Sequence, residues 1–456
     1  MPIKRLFIAN RGEIAVRIIR AAKAMGIHTI QAYSEADEDM LAVRLADEAI
    51  YIGPAQAARS YLDIDAVVAA AKASDADAVH PGYGFLAENA DFVRALDAAG
   101  IGFVGPSADT IDRLGDKVAA RQAAEAAGVP VVPGSKGRLE TVDEAASVAA
   151  DIGYPVMIKA AAGGGGKGIR IAQTEEELRK MAPQAQAEAK ASFGDGGLYL
   201  ERAIQSPRHI EVQIMGDGTD AVHYFERECS MQRRRQKVWE EAGAACLDDA
   251  TRAKLCETAV ALAKSVNYVG AGTLEYLYDS VTKEFFFIEM NTRIQVEHPV
   301  TEMLTGADLV QEMIRVAGGE KLGSTQDQIT RTGHAIEVRL NAEDPTMQFM
   351  PFPGQIAAMR IPEGPGIRFD HFLYEDYQIP PFYDSLLGKL IVHGADRDAA
   401  IDLMISALEG LEIEGIKTTK PLHLALARDP AVRADDFHTQ WLEPWLAAGN
   451  LTPTPS

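Results

Sequence analysis

Cysteine is scarce in this chain: three residues, Cys229, Cys246 and Cys256, among 456. Their spacing fits no metal-binding pattern and their number no even disulfide framework. A disulfide-built fold is therefore excluded, and a reducing cytoplasmic setting is expected. Long hydrophobic runs are missing as well. No stretch approaches the roughly 18 consecutive apolar residues of a membrane span. Near the start only Leu6 to Ala9 is continuously apolar before Arg11 and Glu13, too short for a signal-peptide core. Positive charge is in the minority, with 45 Lys and Arg against 66 Asp and Glu and a net charge of -21. A broad nucleic-acid or anionic-membrane footprint depends on clustered cations and is not expected here. What remains, 47% apolar and 24% charged residues, is the composition of a globular protein and not of a disordered one. At this length one core is not enough, and roughly two to four domains are expected.

The first third alternates short apolar runs with amphipathic stretches, which predicts an α/β domain over 1–113. Its strands are expected at Leu6 to Ala9, Ile27 to Tyr33, Ala78 to His80 and Gly102 to Val104. Ile14, Ile18, Ala21 and Met25 recur at helical spacing between the first two. A helical connector over 114–132 ends at Gly128-Val129-Pro130, and Pro133-Gly134-Ser135 opens a compact unit over 133–203. A strand-rich body is expected over 204–330, a C-terminal domain over 331–446, and a frayed tail over 447–456.

Chemistry concentrates in a few places. Glu289-Met290-Asn291-Thr292-Arg293-Ile294-Gln295-Val296-Glu297 packs two carboxylates, two amides and a guanidinium behind an apolar strand. A core cannot absorb that density of costly polar groups, whereas a site can use it. Upstream, Thr273 to Tyr278 and Glu284 to Glu289 are expected to pair across the turn Ser280 to Lys283, with Glu275 opposite Glu289. Like charges opposite one another repel. A divalent cation between them, with Asn291 completing an oxygen set, removes the penalty and suits Mg²⁺ or Mn²⁺; a solvated acidic ladder is the alternative. Ala161 to Gly168, with Gly163, Gly164, Gly165 and Gly166 in a row, lies between two predicted strands and so closes a hairpin. The Walker and dinucleotide fingerprints need a helix there, and neither pattern occurs. Glycine N–H groups can still approach phosphates closely, and Lys159 at the end of the preceding strand favours that over a bare solvent loop. His209 and Glu211 share one strand face.

His80-Pro81-Gly82-Tyr83-Gly84-Phe85-Leu86-Ala87-Glu88-Asn89, the Glu289 to Pro299 run and Ile8-Ala9-Asn10-Arg11-Gly12-Glu13 together resemble the biotin carboxylase family, and the similarity extends to about Lys417. The resemblance implies an ATP-grasp fold with an N-terminal Rossmann-like domain, a mobile glycine-rich lid and a C-terminal biotin carboxylase domain. It implies that Lys117, Lys159 and the lid glycines, Gly168 included, hold ATP phosphates, with Glu201 and Ile204 at the adenine hinge. His209, Glu211, Gln232 and Leu277 complete the nucleotide site, and Glu275, Glu289 and Asn291 hold the metal, two ions in all. Arg293, Gln295, the Val296 N–H and Lys237 would hold bicarbonate. Glu297 would be its general base, and Arg339 would stabilise the biotin enolate, a task for a cation that never deprotonates. The implied product is carboxybiotin, formed through carboxyphosphate as the first half-reaction of an acyl-CoA carboxylase, acetyl-CoA being the expected acceptor and fatty acid biosynthesis the setting. No Met-Lys dipeptide occurs, so biotin is expected on a separate biotin carboxyl carrier protein, with carboxyltransferase subunits as further partners and a homodimer as the assembly. Arg235 and the Val238-Trp239-Glu240-Glu241-Ala242-Gly243 run depart from the family pattern beside Lys237. The alternatives are another ATP-grasp carboxylate–amine ligase, the biotin carboxylase subunit of a carboxylase with a different acceptor such as propionyl-CoA or pyruvate, and a noncatalytic nucleotide-binding subunit.

Overall fold

The computed structural model describes residues 2–160, 170–193 and 196–451. Two compact units result, one of Met1–Val129, Arg208–Tyr276 and Glu289–Ser456, the other of Pro130–Pro207 and Leu277–Ile288. In the first, strands Arg5–Ile8, His28–Ser34, Glu48–Gly53, Ala78–His80 and Gly102–Phe103 form a parallel sheet in the order third, second, first, fourth, fifth. Four of the five stand within a residue or two of their expected places. Glu48–Gly53 was not expected: it is an edge strand with Tyr51 exposed, so it lacks the buried apolar run by which the others announce themselves.

The strand order reverses beside Arg5–Ile8, and in such sheets sites form outside the carboxyl ends at that point. The chain leaving that strand is Asn10-Arg11-Gly12-Glu13, and the chain leaving Ala78–His80 is Pro81-Gly82-Tyr83. Asn10 Nδ2 donates to the carbonyls of Pro81 (2.6 Å) and Tyr83 (2.7 Å), tying the two loops together. Gly82 permits this: its φ is +62° and a Cβ there would lie 3.0 Å from Asn10 Nδ2.

An eight-stranded sheet follows, in the order Glu284–Asn291, Val269–Asp279, Arg208–Asp217, Ala221–Arg233, Gln236–Ala242, His334–Asn341, Leu386–Gly394, Ile367–His371. It is antiparallel from Arg208–Asp217 onward. One face of its far half carries Trp239, Ile336, Val338, Leu390 and Val392 against the helices Arg397–Gly410 and Lys420–Arg428. The period of two then puts Glu240, Glu337, Arg339 and Lys389 on the other face, towards helix His298–Thr305. The second unit holds a three-stranded antiparallel sheet, Arg170–Ala172, Val156–Ala160 and Leu198–Arg202, over a core of Leu139, Leu178, Leu198 and Leu200. Ile158 pairs with Arg170, as a hairpin requires. Gly163 to Gly168 lie outside the described residues.

The two departures beside Lys237 have separate explanations. Arg234 and Arg235 form a two-residue hairpin turn with φ of 48° and 66°, and Arg235 is exposed. Trp239 is buried, and its Nε1 donates to Glu241 Oε1 at 2.8 Å. Glu241 also accepts from His334 Nε2 and Arg397 Nε, each at 2.7 Å. Burial alone would raise this carboxyl, yet His334 and Arg397 hold it far below the usual range. A depressed carboxylate stabilises the fold above its unfolded pKa, and the contribution fades as pH falls below that value. Glu241→Gln should therefore cost about 3–5 kcal/mol near neutral pH. Denaturation followed by tryptophan fluorescence should show the gap to wild type narrowing below pH ~4.5.

Candidate active site

A continuous hydrogen-bonded cluster spans the second to sixth strands of the eight-stranded sheet. Its centre is Lys237, whose Nζ donates to Glu211 Oε2 (2.5 Å), Glu297 Oε1 (2.6 Å) and Glu275 Oε1 (3.2 Å). Burial would strip its proton, but the three carboxylates more than reverse that and keep it a cation. Glu211 is held from the other side by Arg227 Nε at 2.6 Å. His209 Nε2 lies 3.2 Å from Glu275 Oε2; burial lowers its pKa, Glu275 and Glu211 together outweigh this against Lys237, and it is pushed up to about 9.

Glu297 caps helix His298–Thr305 and is 2% exposed. Its Oε2 accepts from Arg339 Nη2 at 2.9 Å, so the carboxylate is clamped between Lys237 and Arg339. Burial would raise its pKa, but Lys237 leads the charges that carry the balance below the usual value, even with Glu211 opposing. Arg339 in turn donates Nε to Glu240 Oε1 at 2.6 Å. Gln295 spans the cluster, donating to Glu275 Oε1 (2.8 Å) and accepting from Arg227 Nη2 (2.9 Å). The backbone of Val296 is fixed through its carbonyl, which accepts from Lys389 Nζ at 2.8 Å.

Asn291 donates to Glu275 Oε1 (3.0 Å) while its Oδ1 accepts from Arg293 Nη2 (3.1 Å). Arg293 Nε donates to Glu88 Oε2 at 2.9 Å, and Glu88 Oε1 accepts from the Thr292 N–H at 3.0 Å. The two signature runs of the sequence thus meet. Glu289 is half-buried, its pKa raised first by burial and then by Glu275, with Lys117 at the start of helix Lys117–Ala126 pulling the other way. Two carboxylates that repel one another in a half-buried setting are a donor set suited to a hard divalent cation.

Gln232 pairs with Lys237 across neighbouring antiparallel strands. Its side chain donates to the Cys229 carbonyl at 2.9 Å. Lys159 is paired with Glu201 within the second unit, to which the half-buried Ile204 and Leu277 also belong. Arg227, Glu240 and Lys389 were missed by the sequence reading. Arg227 is fully buried and serves Glu211, Gln213, Thr273, Gln295 and Thr301. Its only signal was a cation inside an otherwise buried strand.

A Rossmann-like domain, a small antiparallel unit and a sheet bearing this cation–carboxylate cluster define an ATP-grasp ligase. The family models agree in chain order: "Biotin carboxylase, N-terminal domain" over residues 2–111, "Carbamoyl-phosphate synthase L chain, ATP binding domain" over 116–325, and "Biotin carboxylase C-terminal domain" over 337–444. Biotin carboxylase 1 of Bacillus subtilis is 51% identical over 98% of this chain and 100% of its own, and the biotin carboxylase of Pseudomonas aeruginosa is 50% identical over 97% and 98%. Among solved structures, the biotin carboxylase domain of a thermophilic 2-oxoglutarate carboxylase matches with a TM-score of 0.93 at 46% identity, covering 99% of this chain and 100% of its own. The biotin carboxylase subunit of a pyruvate carboxylase matches at 0.92 and 44%, covering 99% and 100%. The chain belongs to the biotin carboxylase family and is an ATP-dependent biotin-carboxylating enzyme. These relatives do not favour the carboxylate–amine ligase alternative. Among the described residues no helix is long and apolar enough to cross a membrane.

Proposed function

We propose that this chain carboxylates biotin carried on a separate carrier protein, and that Glu297, Lys237, Arg293 and Arg339 perform the chemistry. The observation that supports this most is the clamp on Glu297, whose two oxygens each face a cation. A carboxylate so held is a weak base until something competes for its partners. Bicarbonate, an anion entering beside Lys237 and Arg293, is such a competitor: as it draws Lys237, Glu297 regains basicity when the bicarbonate proton must leave. The bicarbonate oxygen then attacks the γ-phosphorus of ATP, ADP departs, and carboxyphosphate forms. Positioning and charge neutralisation supply most of the rate.

Carboxyphosphate breaks down to CO₂ and phosphate, the phosphate accepts the ureido proton of biotin, and Arg339 stabilises the enolate that attacks CO₂. Glu275 and Glu289, with Asn291, would hold Mg²⁺, which when bound neutralises nucleotide phosphate charge. Lys117, Lys159, the 163–168 glycines, Glu201, Ile204, His209, Glu211, Gln232 and Leu277 are proposed as nucleotide contacts on the strength of the family resemblance. A homodimer, a cytoplasmic location and the domain limits given above rest on the same ground.

The acceptor is proposed to be an acyl-CoA, acetyl-CoA first, chosen by a carboxyltransferase partner. The test has two parts. The purified chain should cleave ATP only when bicarbonate is present and should carboxylate free biotin; cleavage that ignores bicarbonate sinks the reading. The complex isolated from its native cells, offered acetyl-CoA, propionyl-CoA, pyruvate and 2-oxoglutarate, should carboxylate acetyl-CoA. Turnover of a keto acid alone assigns the other kind of carboxylase.

A further inference from the structure

We propose that Glu240 and Glu337 share a single proton, and that the pair so protonated positions Arg339 and sets the net charge around it for the biotin half-reaction. The two residues stand directly opposite one another on neighbouring antiparallel strands, and both are fully buried. Glu240 Oε1 accepts from Arg339, but Glu240 Oε2 and both oxygens of Glu337 have no hydrogen-bond partner. Two ionised carboxylates facing each other in a buried ladder are unfavourable twice over, by repulsion and by lost hydration.

Among the described residues, each cation near Glu337 already has other partners. The charged groups facing it are Glu240 on one neighbouring strand, Arg339 on its own, Lys389 on the other, and Glu297 at the helix start. Arg339 is committed to Glu240 and Glu297. Lys389 is committed to Glu13 Oε1 (3.0 Å) and the Val296 carbonyl (2.8 Å). A proton between the two carboxyls satisfies both at once: one becomes an O–H donor and the other its acceptor. Burial raises the Glu337 carboxyl well above its ordinary value, with Glu240 adding to the effect and Lys389 opposing it, which agrees in direction.

The consequence falls on Arg339. Were both carboxyls ionised, the guanidinium would face three negative groups and little positive potential would be left for a substrate. With one proton shared, Glu240 still orients the guanidinium through Nε, while the local charge remains available to a developing enolate oxygen. This second half rests on the proposed role of Arg339; the shared proton does not.

Infrared difference spectroscopy of the full chain in H₂O and D₂O reads the proton directly, because a protonated carboxyl has a C=O band that an ionised one lacks. Wild type should show a buried-acid band at neutral pH, and Glu337→Gln should remove it. Glu337→Leu removes the donor as well and leaves Glu240 Oε2 against an apolar neighbour. A merely structural Glu337 would tolerate Leu, since replacing buried polar groups by apolar ones is often neutral or stabilising. On the present proposal Leu should instead cut carboxybiotin formed per ATP cleaved by about threefold or more, and Gln, which can still donate to Glu240, should restore it. No acid band in wild type, or a band unchanged in Glu337→Gln, overturns the shared proton. Normal coupling in a folded Glu337→Leu variant overturns its effect on Arg339. An acid band behaving as expected while Arg339→Ala fails to uncouple the half-reactions would instead count against the enolate role alone.

Discussion

Glu297→Gln should reduce bicarbonate-dependent ATP cleavage by about 10²- to 10⁴-fold, the usual contribution of a positioned general base, while ATP still binds. The fold should survive, because each cation that loses a charged partner keeps another: Lys237 retains Glu211, and Arg339 retains Glu240. Gln also keeps an oxygen for one of them. Steady-state cleavage with and without bicarbonate, beside nucleotide titration of the variant, measures both halves. Activity within about tenfold of wild type removes Glu297 from the base role and returns the search to the neighbouring carboxylates.

Arg339→Ala should separate the two half-reactions. An enolate forms only after carboxyphosphate, so carboxybiotin output should collapse while bicarbonate-dependent ATP cleavage persists in part. Cleavage should also fall in part, since Arg339 holds one oxygen of Glu297 and its removal loosens the position of that carboxylate. Arg339→Lys should recover only some coupling, because one ammonium cannot reach Glu240 and Glu297 with the paired geometry of a guanidinium fork. Equal loss of both activities in a folded variant makes Arg339 a site-assembly residue and nothing more.

Much of the site could be read before any coordinate was seen, because its parts lie in short runs. Glu289 to Glu297 is a single strand end and loop, so chemistry and position came together. What stayed hidden depends on contacts distant in sequence. Glu88 reaches Arg293 across 205 residues. Arg227 draws its five partners from distant parts of the chain, and a cation inside a buried strand was the one local hint of it. Glu240 stood out only as a member of the Val238 to Gly243 run and Glu337 not at all, because the pairing of one strand with another is written in neither. The edge strand Glu48–Gly53 was lost for a different reason: with solvent on one side, its composition resembles that of a loop.

The contact between Glu88 and Arg293 also bears on how such enzymes can be taken apart. The loop proposed to hold bicarbonate is braced by a residue from the first 113 of the chain, through both its backbone at Thr292 and its side chain at Arg293. The N-terminal domain is thus part of the catalytic loop's support and cannot be treated as an interchangeable module. A chimera that takes this domain from a relative inherits the loop geometry only if the donor brings a carboxylate to the position of Glu88.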